Sequence, residues 1–231
     1  MARLILIRHG QASFGEANYD ALSHVGIQQA EHLGRVLRES GENIDGLWTG
    51  SLRRHLQTAQ RLLMGADWEF LPQSLRGFDE FDHQEVIERY EPRYHNHQIM
   101  LDELGAANVP QDAFAKMFSA ALKRWYEGNA DDEYNETWTQ FKRRVMATLE
   151  RLFRITQSGE THIVITSGGV IAVITQALLG LSDTVAMQVN WTLANASITC
   201  VQNNSRGEHR LLSLNEHAHF RGEHIHMLTW R

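Results

Sequence analysis

Three short segments of this chain set cations, an imidazole and glycines directly behind apolar runs. The first is Arg8-His9-Gly10, which follows Leu4-Ile5-Leu6-Ile7. An arginine can hold a phosphate through two parallel bonds, and a neutral imidazole beside it can attack phosphorus. Gly10 lets the backbone turn tightly against a ligand. Taken alone, the tripeptide is better explained as a polar turn in which His9 is satisfied by backbone. The second segment, Thr49-Gly50-Ser51-Leu52-Arg53-Arg54-His55-Leu56-Gln57-Thr58-Ala59, opens a predicted helix. Amides at a helix start, with arginines nearby, suit an anion. Arg53 and Arg54 lie about 100° apart on such a helix, so one faces a pocket and the other is solvated. The third is Thr166-Ser167-Gly168-Gly169, again between an apolar run and a helix. Together the three predict a phosphate pocket.

Such turns need a sheet behind them, because ligands of open α/β sheets bind beyond the carboxyl ends of the strands. Leu4 to Ile7 is a continuous apolar run, as expected for a strand buried on both faces. Residues 26–38 carry Ile27, Ala30, Leu33 and Leu37 at helical spacing, with a cap expected at Ser23. Ile44 to Trp48 reads as a second strand and Leu52 to Leu63 as a second helix. From about 84 to 155 the pattern is helical. Phe114, Met117, Phe118, Ala121, Leu122 and Trp125 fit one helix face, and Phe141, Val145, Leu149 and Leu152 fit another, entered near Asn135. Spacing places Trp125 and Trp138 in the core. His162 to Thr166 is a third buried strand, followed by an apolar helix through Val170, Ile171, Val173, Ile174, Ala177 and Leu178. Ser197 to Gln202 and His209 to Leu214 read as late strands joined by a turn at 203–207. The expectation is an α/β protein: three layers, α/β/α, with a mainly parallel central sheet. It forms a single domain, 1–231, with a helical insertion at about 84–155.

Composition narrows the function classes. The 231 residues include 22 Lys and Arg against 28 Asp and Glu, a net charge of -6, which argues against a broad nucleic-acid or anionic-membrane surface. No apolar run approaches the ~18–20 residues of a bilayer span. The run before Arg8 is too short for a signal-peptide core, so a cytoplasmic protein is expected. The single cysteine, Cys200, leaves no internal disulfide and no Cys-only metal cage.

Taken with their order, these segments resemble the histidine phosphatase superfamily, also called the phosphoglycerate mutase-like family. Arg8-His9-Gly10-Gln11 is similar to its nucleophile motif, and Thr49 to Ala59 to its second arginine motif. The latter places the family arginine four residues before Thr58, at Arg54. Phe78-Asp79-Glu80-Phe81-Asp82-His83 resembles the segment supplying the family's acid, mapping it to Glu80. Tyr19-Asp20-Ala21-Leu22-Ser23, with Gly26, Gln28 and Ala30, matches the branch with Arg-His-Gly-Gln-Ala-Ser-Phe-Gly sequences. The resemblance covers the first 83 residues and returns at 162–174.

It implies a two-step phosphoryl transfer. His9 becomes phosphohistidine, Glu80 protonates the leaving oxygen and then activates water, and Arg8 and Arg54 neutralise the equatorial oxygens. No cofactor or metal is called for. Gln11, Ser13 and Gly168 are candidate substrate contacts, although loop polarity explains Gln11 and Ser13 equally well. Acidic neighbours Asp79 and Asp82 either raise the Glu80 pKa or point to solvent. A small phosphorylated metabolite is the expected substrate. No nucleic-acid or membrane partner is expected, and a homodimer is the one protein partnership admitted.

The chain departs from the family at Ser167, where the family carries a second pocket histidine in a Ser-His-Gly-Gly segment. A neutral donor contributes about 0.5–1.5 kcal/mol against about 1.5–3 for a charge-assisted bond, so pocket charge is reduced. His83 is a candidate replacement donor, with a hydrogen-bonded loop histidine as the plainer account. Four other classes compete with phosphomonoester hydrolysis. One is a mutase, and a second is a phosphate-binding pseudoenzyme made by the loss at Ser167. A third is a metal-dependent hydrolase using His217, His219, His224 and His226. The fourth is a nucleotide-binding module at Ser167-Gly168-Gly169, which lacks any Gly-x-Gly-x-x-Gly or Walker pattern.

Overall fold

The computed structural model describes residues 1–13, 20–107, 109–204 and 206–230; Phe14, Gly15 and Tyr19 of the motifs above, and the turn residue Ser205, lie outside them. The described chain divides into two compact units, residues 1–80 with 145–231, and residues 81–144.

The first unit is built on a six-stranded sheet. Its centre is β1 (Arg3–Arg8), whose four inner residues are all buried. On one side β1 pairs in parallel with β4 (Thr161–Thr166). Next come β2 (Gly46–Thr49) and β3 (Gln73–Ser74), both also parallel. On the other side β1 pairs antiparallel with β5 (Ile198–Asn203), and β5 with β6 (His209–Glu216), giving the order β3-β2-β4-β1-β5-β6. Alternation along the strands divides the side chains between two faces. Ile5, Ile7, Ile163 and Ile165 join one apolar cluster with Leu33 and Leu37 of α1 (His24–Glu39) and Ala59 and Leu62 of α2 (Arg53–Ala66). Leu4, Leu6 and Val164 point to the opposite face and are equally buried. On that face α7 (Gly168–Leu179) contacts β1. Burying each such aliphatic side chain contributes about 1.5–3 kcal/mol, so the continuous apolar runs dictate a sheet covered on both sides.

Local signals set the helix starts. Ser23 caps α1, its hydroxyl accepting the Gly26 N–H at 3.0 Å. At α2 the residue before the helix, Leu52, cannot cap. The Asp20 carboxylate accepts the Arg53 N–H at 2.8 Å instead. The second strand begins at Gly46 rather than Ile44, and just before it the Asp45 carboxylate accepts the Thr161 N–H at the start of β4, at 2.8 Å. Two elements had no sequence signal: β3 is two exposed residues, and α8 (Asp183–Thr192) buries only Ala186 and Met187. The histidine-rich end folds as short 3₁₀ turns that bury Phe220 and Met227.

The second unit, residues 81–144, is helical, with no strand among its described residues. It holds α3 (His83–Tyr90), α4 (His97–Gly105), α5 (Pro110–Tyr126) and the start of α6 (Trp138–Ile155). Phe81, Trp125, Trp138 and Phe141 pack ring against ring with centroids 4.8–5.8 Å apart. Trp125 and Trp138 are therefore core residues. Asp82 caps α3, accepting from the Gln84 and Glu85 amides. Along α6 the predicted face of Phe141, Val145, Leu149 and Leu152 is wholly buried. No described helix is long and apolar enough to cross a membrane.

Candidate active site

Sheet register brings the three turns to one edge. Arg8 stands opposite Thr166 and Thr49 opposite Ile165, so β1, β2 and β4 end side by side. The His9 N–H donates to the Thr166 carbonyl and the Gly50 N–H to the Ile165 carbonyl, each at 2.9 Å. Gly10 passes so close to α1 that a Cβ there would overlap the Gly26 carbonyl. Its N–H donates to Thr58 Oγ1 at 3.1 Å, and that hydroxyl donates to the Arg54 carbonyl at 2.7 Å. The turn after β1 is thus tied to the starts of both α1 and α2.

His9 is buried, and its Nδ1 donates to the Gly10 carbonyl at 2.7 Å. Burial, followed by the Arg54 guanidinium, His55 and Arg8, holds its pKa well below 6.5 against the opposing pull of that carbonyl. The ring is therefore neutral at physiological pH, with the proton on Nδ1 and the lone pair on Nε2.

Of the two adjacent arginines that open α2, Arg54 is buried and Arg53 exposed. Arg54 Nη1 donates to Asp20 Oδ1 at 2.7 Å. Asp20 therefore serves twice, capping α2 and pairing the buried cation; nothing in its own spacing announced this. Arg8 Nη1 donates to the backbone carbonyls of Leu193 and, at 3.1 Å, Trp230, which brings the end of the chain to the first strand end.

Glu80 sits at the start of α7, where its Oε2 accepts the Gly169 N–H at 3.0 Å. Asp79 is held inward by Ser51, accepting from both its amide and its hydroxyl. Gly168 packs where a Cβ would overlap Asn190 Oδ1 and touch Arg8. Ser167 is buried, and its Oγ lies 2.7 Å from His55 Nε2. His55 was no candidate from sequence, although it stands one residue past Arg54 and shares its inward arc.

The remaining candidates are placed differently. Gln11 Oε1 accepts the Ser23 hydroxyl at 2.8 Å, so that oxygen serves the cap of α1. Ser13 is half-buried, its N–H donating to the Ala21 carbonyl at 2.8 Å. His83 opens α3 in the helical unit. In the tail, His217 Nδ1 donates to the Asn215 carbonyl at 2.6 Å and His226 Nδ1 to the Glu223 carbonyl at 2.9 Å. Among the described residues no three His, Cys, Asp or Glu side chains converge to hold a metal.

Comparison with known proteins extends these observations. Residues 4–217 match the model of the histidine phosphatase superfamily, branch 1. A phosphoglycerate mutase from Candida albicans is 38% identical over 78 residues, a stretch covering 31% of this chain and 32% of that protein. The match thus spans about a third of the curated relative. Among solved structures, a phosphoserine phosphatase from Entamoeba histolytica, crystallised as a mutant with phosphoserine, superposes with a TM-score of 0.63 at 20% identity. That match covers 95% of this chain and 99% of the other. A phosphoglycerate mutase from Bacillus anthracis gives 0.63 at 15% identity, covering 94% of each. At such identities the likeness is one of fold.

Proposed function

The chain belongs to branch 1 of the histidine phosphatase superfamily, and we propose that it hydrolyses phosphomonoesters through a phosphohistidine on His9. The observation that carries this reading is the state of His9. It is buried and neutral, with Nδ1 committed to the Gly10 carbonyl, which leaves Nε2 as the nucleophilic nitrogen.

In the first step the Nε2 lone pair forms the P–N bond and the P–O bond to the leaving group breaks. Glu80, entering as the acid, gives its proton to the departing oxygen. In the second step the Glu80 carboxylate takes a proton from water, whose oxygen attacks phosphorus. The P–N bond breaks, inorganic phosphate leaves, and neutral His9 returns. Arg8 and Arg54 supply positive charge to the phosphoryl oxygens, so catalysis is positioning plus preorganised charge. Glu80 is oriented for both steps by the Gly169 N–H. Small phosphorylated metabolites are the substrate class.

The test is a panel of phosphomonoesters assayed with chelator present, followed by rapid quench with an ester carrying a labelled phosphoryl group. Wild type should carry acid-labile label, whereas His9→Ala should carry none and fall to background turnover. Undiminished turnover by His9→Ala would overturn the mechanism. Delivery of the label to an added alcohol in preference to water would replace hydrolysis with mutase-type transfer.

A further inference from the structure

None of the steps above uses His55. Its ring is wholly buried on the first turn of α2, with its centroid 5.6 Å from that of His9. Its nitrogens face different partners. Nε2 lies 2.7 Å from Ser167 Oγ, while Nδ1 makes no hydrogen bond and faces Asp79 Oδ1 at 3.9 Å. Gly50 makes the room, since a Cβ there would overlap both the His55 ring and the Asp79 carboxylate. Burial and the neighbouring Arg54 keep the ring neutral. Placing its one proton on Nδ1, towards the carboxylate, leaves Nε2 to accept from the Ser167 hydroxyl. This accounts for a second observation. Ser167 occupies the cap position of α7, yet its side chain makes no capping bond, because the hydroxyl turns to His55.

Acid, imidazole and hydroxyl in this order also form a nucleophilic triad in hydrolases. Here Ser167 is fully buried, which denies its oxygen a substrate. The reacting group that the imidazole does reach is His9.

We infer that His55 is a positioning residue for His9, and that Ser167 holds it in place, so that the two act as one unit joining α2 to the turn after β4. The inference rests on His9 being the nucleophile. A neighbouring ring that fills the space beside the nucleophile limits the directions in which Nε2 can point, and small misplacements of a reacting atom can cost ~10²-fold in rate. The arrangement also has a steric corollary. An imidazole at position 167 would need the volume that the His55 ring already fills. A histidine at 167 therefore requires a small residue at 55.

The experiment follows the single-turnover rate at which acid-labile phosphate appears on the protein, with KM measured alongside. His55→Ala should slow labelling by ~10²-fold with KM nearly unchanged. His55→Gln should recover part of that loss, since its amide can still reach Ser167. The double variant His55→Ala/Ser167→Ala should be no slower than His55→Ala, as expected for residues acting as a unit. Ser167→His alone should be slow through overpacking, and His55→Ala should restore it. Labelling of His55→Ala at the wild-type rate, or losses at 55 and 167 that multiply, would overturn the inference while leaving the His9 mechanism standing. A wild type that never labels would remove the His9 mechanism first. If His55→Ala fails to fold, Ser167→Ala and His55→Gln decide the matter. Each should slow labelling, and their combination should be no slower than the worse of the two; multiplied losses would overturn the inference.

Discussion

The strand-end turns of the sheet unit and the surface of the helical unit use the same ionic chemistry to different ends. In the helical unit Arg93 lies between Glu91 and Glu103, and Arg124 between Glu133 and Tyr134. Arg93 is 59% exposed, whereas Arg54 at the strand ends is 8% exposed. Exposed pairs are screened by water and are typically worth about 0–1 kcal/mol. A buried guanidinium cannot go unpaired, and Asp20 meets that need for Arg54. Burial rather than the number of charges separates the two regions. It keeps His9 neutral, and it lets a nearby cation act at short range in low dielectric.

Three further measurements test this contrast. The largest effect is expected at Glu80. Glu80→Gln should cost ~10²–10⁴-fold on alkyl phosphates, which need a protonated leaving group, and far less on activated aryl phosphates. Equal losses on both would assign Glu80 a structural role at the start of α7.

Next comes the pair of adjacent arginines. Arg54→Ala should lose ~10²–10³-fold in kcat, as for removal of one preorganised donor. Arg53→Ala, and Arg93→Ala in the helical unit, should leave kcat nearly unchanged. Should Arg93→Ala prove as damaging as Arg54→Ala, the division between buried and exposed cations would fail.

The smallest effect concerns acid stability. His219 is held down to about 4, first by burial and then by His32 and His217. The unfolded chain titrates this group near 6.5. Between about 6.5 and 4 the unfolded state therefore binds the extra proton, and stability contributed by neutral burial is complete above that window and declines as pH falls through it. Denaturant midpoints measured from pH 7 to pH 4 should fall less steeply in His219→Gln than in wild type. An unchanged slope would place the acid sensitivity elsewhere.

Much of the sheet unit was legible because its signals are local. Ser23 caps α1, and Leu33 and Leu37 fall on its buried face, as their spacing predicts. β1 and β4 are the apolar runs themselves. The aromatic core of the helical unit likewise follows from the spacing of Trp125, Trp138 and Phe141. By contrast, β3 could not be anticipated, because two exposed residues carry no pattern and exist as a strand only through pairing with Trp48 and Thr49. Asp20 and His55 were equally silent. Asp20 meets Arg54 across 34 positions and His55 meets Ser167 across 112.

Periodicity and caps act within a few residues, so residue order alone implies strands that end in Arg8-His9, Gly50-Ser51 and Ser167-Gly168, and hence cations and an imidazole at strand ends. The pairing of His55 with Ser167, the neutralisation of Arg54 by Asp20 and the inward turn of Asp79 to Ser51 came from the tertiary structure alone. Those choices depend on which strands become neighbours in the sheet. Hydrogen bonds made over 28 to 112 residues have no periodicity for a sequence to display.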